Sequence, residues 1–204
     1  MLKAKIAVLV SGGGTNLQAL IDFEKKGFLK HGEISVVISN NKEAYALTRA
    51  RENNIPTCII NNGPAFEEEL AEILTLYKID LIVLAGFMKI LSKDFVSRYP
   101  ARIINVHPSL IPSFCGKGFY GLKVHEAALS YGVKVTGATV HFVNEIPDGG
   151  QIIYQKAVKI RKNDTAESLQ RHVMETAEWE ILPRAAEKVS EQIVKQGDNY
   201  NGHL

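Results

Sequence analysis

Two cysteines, Cys58 and Cys115, are all that the 204 residues contain, too few for a disulfide framework. Cys58 sits in the apolar run Thr57-Cys58-Ile59-Ile60, where a free cysteine behaves as a small buried hydrophobe. Cys115 lies in a glycine-rich loop, with no partner motif marking it as a nucleophile. Long apolar runs are missing too. The first, Ile6–Val10, stops at Ser11-Gly12-Gly13-Gly14 and is too short for a signal h-region or a membrane span. Neither sign of charge dominates: 24 basic against 22 acidic residues leave a net +2, which argues against nucleic acid or a polybasic membrane contact. There is no internal repeat, low-complexity tract or linker. What remains is a soluble, cytoplasmic protein with one domain over residues 1–195 and a polar, frayed tail over 196–204. A chain of this size buries roughly 70% of its unfolded surface and needs no staples.

Several catalytic signatures are also absent. No Gly-x-Ser-x-Gly elbow marks a serine nucleophile. His125-Glu126 is followed by Leu129 where a zinc protease needs a second His. Gly116-Lys117 is followed by Gly118, not the Ser or Thr of a Walker loop. Gly12-x-Gly14 is followed by Leu17, and the second strand ends at Ser39-Asn40 without an acid for a ribose, so the dinucleotide fingerprint fails. His107, His125, His141 and Asp148 could in principle meet on zinc; the reading taken is no metal, with His125 and His141 as packing or loop residues.

What is present is an alternation of short apolar runs with helical patterns. Strands are expected at Lys5–Val10, Ile34–Ser39, Pro56–Ile60, Leu81–Ala85 and Ile103–Val106. Helices are expected at Asn16–Lys26, Ala44–Asn53, Phe66–Tyr77, a short one capped by Ser92, and Leu122–Ser130. Thr136–Val143 and Gly150–Ile160 read as strands with no helix between them. A last helix should run from near Thr165 to Val194, interrupted around Pro183. The fold class is α/β: a Rossmann-like, doubly wound, mostly parallel sheet with an antiparallel C-terminal strand pair and a long C-terminal helix.

Two places carry chemistry. Ser11-Gly12-Gly13-Gly14-Thr15-Asn16 joins a strand to a helix, where glycines let the backbone approach an anion and the helix start supplies N–H donors. The loop reads as a cradle for a monophosphate ester, or else as a tight turn with a capped helix. Asn105-Val-His107-Pro108 ends a strand with an amide and an imidazole on one side. Asn105 can donate to an oxyanion without titrating. His107, with an ordinary pKa of about 6.5, can change charge near neutrality. Asp148, set between Pro147 and two glycines, supplies a carboxylate that can stabilise an imidazolium. The set suits attack on a carbonyl by the substrate's own nucleophile. Taken singly, each residue also fits a plain turn or structural role.

Ser11-Gly-Gly-Gly-Thr-Asn-Leu17, Leu84-Ala-Gly-Phe-Met-Lys-Ile-Leu91, Asn105-Val-His-Pro-Ser-Leu-Ile-Pro112, Thr136-Gly-Ala-Thr-Val-His-Phe-Val143 and Asp148-Gly-Gly-Gln-Ile-Ile153 occur in order over nearly the whole chain. Together they resemble the folate-dependent phosphoribosylglycinamide formyltransferases of purine biosynthesis. Asn-x-His-Pro-Ser-Leu and Asp-Gly-Gly alone indicate only the wider formyltransferase superfamily, which includes hydrolases and enzymes acting on tRNA and sugar nucleotides; the N-terminal loop and the chain length favour the ribonucleotide branch. The resemblance implies formyl transfer from 10-formyltetrahydrofolate to the amine of 5-phosphoribosylglycinamide. It implies a phosphate-binding half over about 1–100 and a catalytic, folate-binding half over about 101–195. Asn105, His107 and Asp148 would be catalytic. Gly14, Thr15, Asn16 and Glu178 would bind the ribonucleotide. Met88, Lys89, Ile90, Leu91, Asn105 and Val143 would bind the folate. Trp179 stands where related enzymes often have His. Glu67-Glu68-Glu69 follows a segment where some relatives carry an Arg near the folate tail, which leaves Lys89 as the candidate partner for that tail. The loop Cys115–Gly121, with Lys117, either approaches the ribonucleotide or is a surface loop.

Overall fold

The computed structural model describes residues 2–201, with side chains described through residue 196. The elements run β1 (Ala4–Val10), α1 (Thr15–Lys25), β2 (Gly32–Ser39), α2 (Tyr45–Glu52), β3 (Thr57–Ile59), α3 (Phe66–Leu76), β4 (Leu81–Leu84), α4 (Lys93–Ser97), β5 (Ile103–His107), α5 (Leu122–Tyr131), β6 (Val135–Phe142), β7 (Ile152–Lys159), α6 (Ala166–Val173), a π-helical turn (Met174–Glu178) and α7 (Trp179–Asn201). The seven strands belong to one sheet of order β3-β2-β1-β4-β5-β6-β7. β1, β2, β3 and β4 pair in parallel, and the β5–β6 and β6–β7 pairs are antiparallel. The expected α/β class is therefore observed, with its antiparallel C-terminal strands and long C-terminal helix.

The chain divides into two compact units, one holding the sequence up to Leu91 with the segment from Pro183 onward, the other holding Ser92–Leu182. In the first, β1 and β4 are buried almost throughout: Ile6, Val8, Leu9, Leu81 and Val83 expose no surface. Parallel strands covered on both faces need such unbroken apolar runs. α1 adds Leu17, Leu20 and Ile21 to this core, and α3 adds Phe66, Leu70 and Leu74 at four-residue spacing. Each such buried side chain contributes about 1.5–3 kcal/mol relative to exposure. Glu67, Glu68 and Glu69 occupy the first turn of α3, where the helix dipole favours acids.

In the second unit, the Ser92 Oγ accepts from the Phe95 N–H and caps α4, as its sequence indicates. Thr165 and Ser168 form a reciprocal capping box at the start of α6. The register of the β6–β7 pair shifts between Val140 and His141, and a bulge of this kind re-aims the side chain beside it.

The C-terminal helix differs from the sequence expectation in where it is interrupted. The interruption near Pro183 lies instead at the π-helical turn Met174–Glu178, and Pro183 sits inside α7. Proline removes an N–H and crowds the carbonyl four residues earlier, and the wider turn just upstream takes up that mismatch. α7 runs to Asn201, into the tail over 196–204. Glu191 and Lys195, good helix formers, pair across one turn at 2.6 Å and support the helix there. Residues 202–204 lie outside the described residues. Among the described residues, no helix is long and apolar enough to cross a membrane.

Candidate active site

The β5–β6 register builds one polar face in the second unit. Asn105 lies opposite His141, and His107 lies opposite Thr139. Directly opposed residues share a face, as do residues two apart on one strand. All four side chains therefore gather on one side of the sheet. The Asn105 Nδ2 lies 3.3 Å from the His141 Nε2. The Thr139 hydroxyl donates to the Ser109 carbonyl at 2.7 Å and accepts from the Ile111 N–H at 3.1 Å, which shapes the turn after His107.

Asp148 reaches this face from the β6–β7 loop. The Asn144 Oδ1 accepts from the Ile146 N–H at 3.0 Å, and its amide donates to the Gly149 carbonyl at 3.2 Å, so the loop folds on its own bonds. Asp148 itself takes a left-handed φ of 56°, a conformation Asp tolerates better than most residues. Gly150 follows because a Cβ there would run into the Phe142 carbonyl. The result sets the Asp148 Oδ2 3.5 Å from the His107 Nδ1, and the Oδ1 3.6 Å from the His141 Nε2. The Gly116 N–H donates to Oδ2 at 2.8 Å.

Both ring nitrogens of His107 have neighbours. Nε2 donates to the Phe114 carbonyl at 2.8 Å, which leaves Nδ1 facing the carboxylate. A neutral His107 therefore holds its proton on Nε2, and a proton added at Nδ1 meets Asp148 at once. Donation from Nε2 to a substrate oxygen requires the Phe114 bond to open. Burial pushes the His107 imidazole below its ordinary 6.5; the Phe114 carbonyl and the Asp148 charge pull it back only in part, and His141 lowers it further. His107 is thus set to titrate below its ordinary 6.5. Burial also pushes the Asp148 carboxyl up, but His141, the Gly116 N–H and the His107 charge outweigh it and hold it below 3.8. At neutral pH the resting pair is a carboxylate beside a neutral imidazole. It is ready to receive one proton.

His125, read from sequence as a packing residue, exposes no surface, and neither ring nitrogen has a hydrogen-bond partner. Burial first, and the His107 charge second, lower its pKa to about 4. Cys115 donates to the Pro112 carbonyl at 3.2 Å, and burial and the Asp148 charge raise its thiol pKa, the wrong direction for a nucleophile. Among the described residues, no group of three or more His, Cys, Asp or Glu is arranged to hold a metal ion.

In the first unit, three strand ends meet at Ser11. Its hydroxyl donates to the Asn40 Oδ1 at 2.7 Å and accepts from the Met88 N–H at 2.9 Å. The Gly12 carbonyl accepts from the Ala46 N–H at 3.1 Å, and the Gly13 carbonyl from the Arg49 Nε at 2.9 Å. In a trans peptide the N–H points opposite to the C=O, so the Gly13 and Gly14 N–H groups point away from α2. Gly14 has φ 73° and caps α1, and a Cβ there would lie 2.5 Å from the Ala46 Cβ. Glycine meets both demands. Thr15 opens α1, and Asn16 is buried behind it. Beyond β4, Met88 and Ile90 are exposed, Leu91 is buried, and the Lys89 ammonium lies 4.8 Å from the centre of the Phe66 ring, which stacks on Phe87.

The structure thus brings Asn105, His107 and Asp148 together, and Gly14, Thr15 and Asn16 together. Glu178, in the second unit, ends the π-helical turn and is 7% exposed; Trp179 beside it opens α7. Val143 donates its N–H to the Ile103 carbonyl at 2.9 Å beside the strand that carries Asn105. Sequence reading missed His141 and Arg49, and left the loop Cys115–Gly121 open. His141 is a member of the polar face, not packing, and strand parity with Asn105 was the signal that could have found it. The Cys115–Gly121 region contacts the site through backbone, at Gly116 and at the neighbouring Phe114 carbonyl, and a backbone contact leaves no side-chain signature. Arg49 braces the glycine loop from α2.

The formyl transferase family matches residues 4–186. The chain is 38% identical over 200 residues to the phosphoribosylglycinamide formyltransferase of Haemophilus influenzae, covering 96% of this chain and 91% of that one. It is similar in structure to a glycinamide ribonucleotide transformylase from Symbiobacterium toebii, with a TM-score of 0.86, 40% identity, and coverage of 93% and 89%. It is 44% identical over 203 residues to the trifunctional purine biosynthetic protein adenosine-3 of Bos taurus, covering 97% of this chain but spanning only 19% of that protein's length. The chain belongs to the formyl transferase family, in its phosphoribosylglycinamide formyltransferase branch.

Proposed function

We propose that the chain transfers the formyl group of 10-formyltetrahydrofolate to the amine of 5-phosphoribosylglycinamide, a step of purine biosynthesis, and that it needs no metal. The observation that carries this reading is the Asn105–His107–Asp148 set, built around a buried imidazole, which offers an amide donor and a proton site on one face. The glycine loop at the start of α1 supports a phosphate-bearing acceptor, with Gly14, Thr15 and Asn16 at the phosphate and Glu178 at the ribonucleotide. Met88, Lys89, Ile90, Leu91, Asn105 and Val143 are proposed to line the folate, with Lys89 toward its acidic tail.

In this mechanism the amine attacks the formyl carbon and the carbonyl oxygen becomes an oxyanion. Asn105 donates an amide N–H to that oxygen without changing charge. The attacking nitrogen must then lose a proton. His107 Nδ1, facing Asp148, takes it, because the carboxylate stabilises the imidazolium while burial disfavours that charge at rest. The intermediate collapses, the bond from carbon to N10 of the folate breaks, and N10 receives a proton. One proton has moved from amine to N10, and the formyl group has moved the other way.

The competing reading is a hydrolase in which water replaces the amine; it uses the same three residues but gives the glycine loop no task. Loss of 10-formyltetrahydrofolate, followed spectroscopically with and without the ribonucleotide, separates the two. Turnover that requires the ribonucleotide is expected. Equal turnover without it would establish the hydrolase, and no turnover under either condition would end the enzymatic reading.

A further inference from the structure

We infer that His141 is a positioning residue which fixes the orientation of the Asn105 amide, through a bond from the Asn105 Nδ2 to the His141 Nε2. The inference rests on the formyl-transfer reading. His141 is 2% exposed, and its Nδ1 lies 2.8 Å from the Phe142 carbonyl. A carbonyl only accepts, so Nδ1 carries the proton, and a neutral His141 presents a lone pair at Nε2. The atom that meets this lone pair, at 3.3 Å, is then the Asn105 nitrogen and not its oxygen.

An amide is planar, so committing one N–H of Nδ2 sets the direction of the other. It also sets where Oδ1 points. That second N–H is the donor the oxyanion needs. Without His141 the amide can turn over at nearly equal shape and present an oxygen to the developing negative charge, which repels it. The β6–β7 register shift beside His141 aims the ring, and the β5–β6 register brings Asn105 opposite it. Asp148 Oδ1 also lies near Nε2, at 3.6 Å. At that distance the pair lies beyond a direct hydrogen bond, and the 3.3 Å contact with the Asn105 nitrogen is the shorter one at Nε2.

A double-mutant cycle tests this. His141→Leu should lower kcat by roughly ten- to a hundredfold, bounded by the 10²–10³-fold expected of Asn105→Ala, with little change in KM. In the Asn105→Ala background the same substitution should cost less than about twofold. His141→Gln, whose Oε1 can accept the amide, should recover most of the rate. A full His141→Leu loss in the Asn105→Ala background would overturn the role, as would a loss that disappears in an Asp148→Asn background instead. If His141→Leu does not fold, nitrogen NMR of the wild-type ring decides: a protonated Nδ1 with a bare Nε2 is expected, and an Nε2–H tautomer refutes the inference. An inactive wild type would instead sink the formyl-transfer reading, so the two failures are distinct.

Discussion

Replacing Asp148 by Asn isolates what its charge does. The Oδ2 that accepts from the Gly116 N–H at 2.8 Å can remain an oxygen in the amide, so the NH₂ group takes the place of Oδ1 and faces His141. His107 Nδ1 then still faces an oxygen at about the native 3.5 Å, but a neutral one. The geometry is kept and the charge is lost. A unit charge pair at that separation, with an effective dielectric near 20, is worth about 5 kcal/mol. If the His107 imidazolium forms in the transition state, the variant should lose kcat by on the order of three decades. Tetrahydrofolate affinity and melting temperature should stay near wild type. Steady-state kinetics with both substrates, alongside calorimetric titration of tetrahydrofolate, make the measurement. A loss under tenfold in a folded variant refutes the charge argument, and so does a loss carried wholly by KM.

The same substitution makes a second reading through pH. Activity needs Asp148 ionised and His107 neutral. Both groups titrate below their ordinary values, so the acid limb of kcat/KM in the wild type should fall below pH 6.5. Asp148 raises the His107 pKa, so removing its charge must lower it further. The acid limb of the residual rate should therefore move to lower pH in Asp148→Asn. A limb that moves upward, or stays near neutrality in both proteins, contradicts the assignment.

Much of the fold was legible because period and burial coincide. The unbroken apolar runs of β1 and β4, and the four-residue spacing of Phe66, Leu70 and Leu74, each have one structural solution. Apart from the end of the last helix, boundaries fell within about two residues, as end effects allow. The polar face was half legible. Asn105 and His107 share a strand, so their common side follows from parity alone. His141 lies 36 residues on, and only the antiparallel register brings it opposite Asn105; sequence does not state a register. The contacts of Phe114 and Gly116 are made by backbone, which every residue possesses, so their identity carries no sign of the role. The titration of His107 was partly legible for a related reason: residue type gives the ordinary value, whereas burial, a property of the folded chain, moves it down. The π-helical turn at Met174–Glu178 was illegible because its own residues are ordinary helix formers, and Pro183 marks a disturbance without saying where the helix absorbs it.

Gly14→Ala should weaken ribonucleotide binding more than folate binding, by about tenfold or more, because it forces a side chain into the left-handed region and onto Ala46. Equal losses for the two ligands in calorimetric titration would count against the cradle. His125 gives the last prediction, on stability. In the native protein its pKa is about 4, while in the unfolded chain it is near 6.5, so between these values the unfolded state binds the extra proton. Stability from this source is intact above pH 6.5 and is lost as pH falls toward 4; between pH 7.5 and 5 the loss is about 2 kcal/mol. His125→Leu removes the titrating ring and an unpaired buried N–H while keeping a comparable volume, so it should cost little at pH 7.5. The variant's stability, from urea unfolding at the two pH values, should decline less than that of wild type by about that 2 kcal/mol. Parallel declines in the two proteins would show that His125 is protonated as readily in the native fold as in water, which its complete burial without a partner forbids.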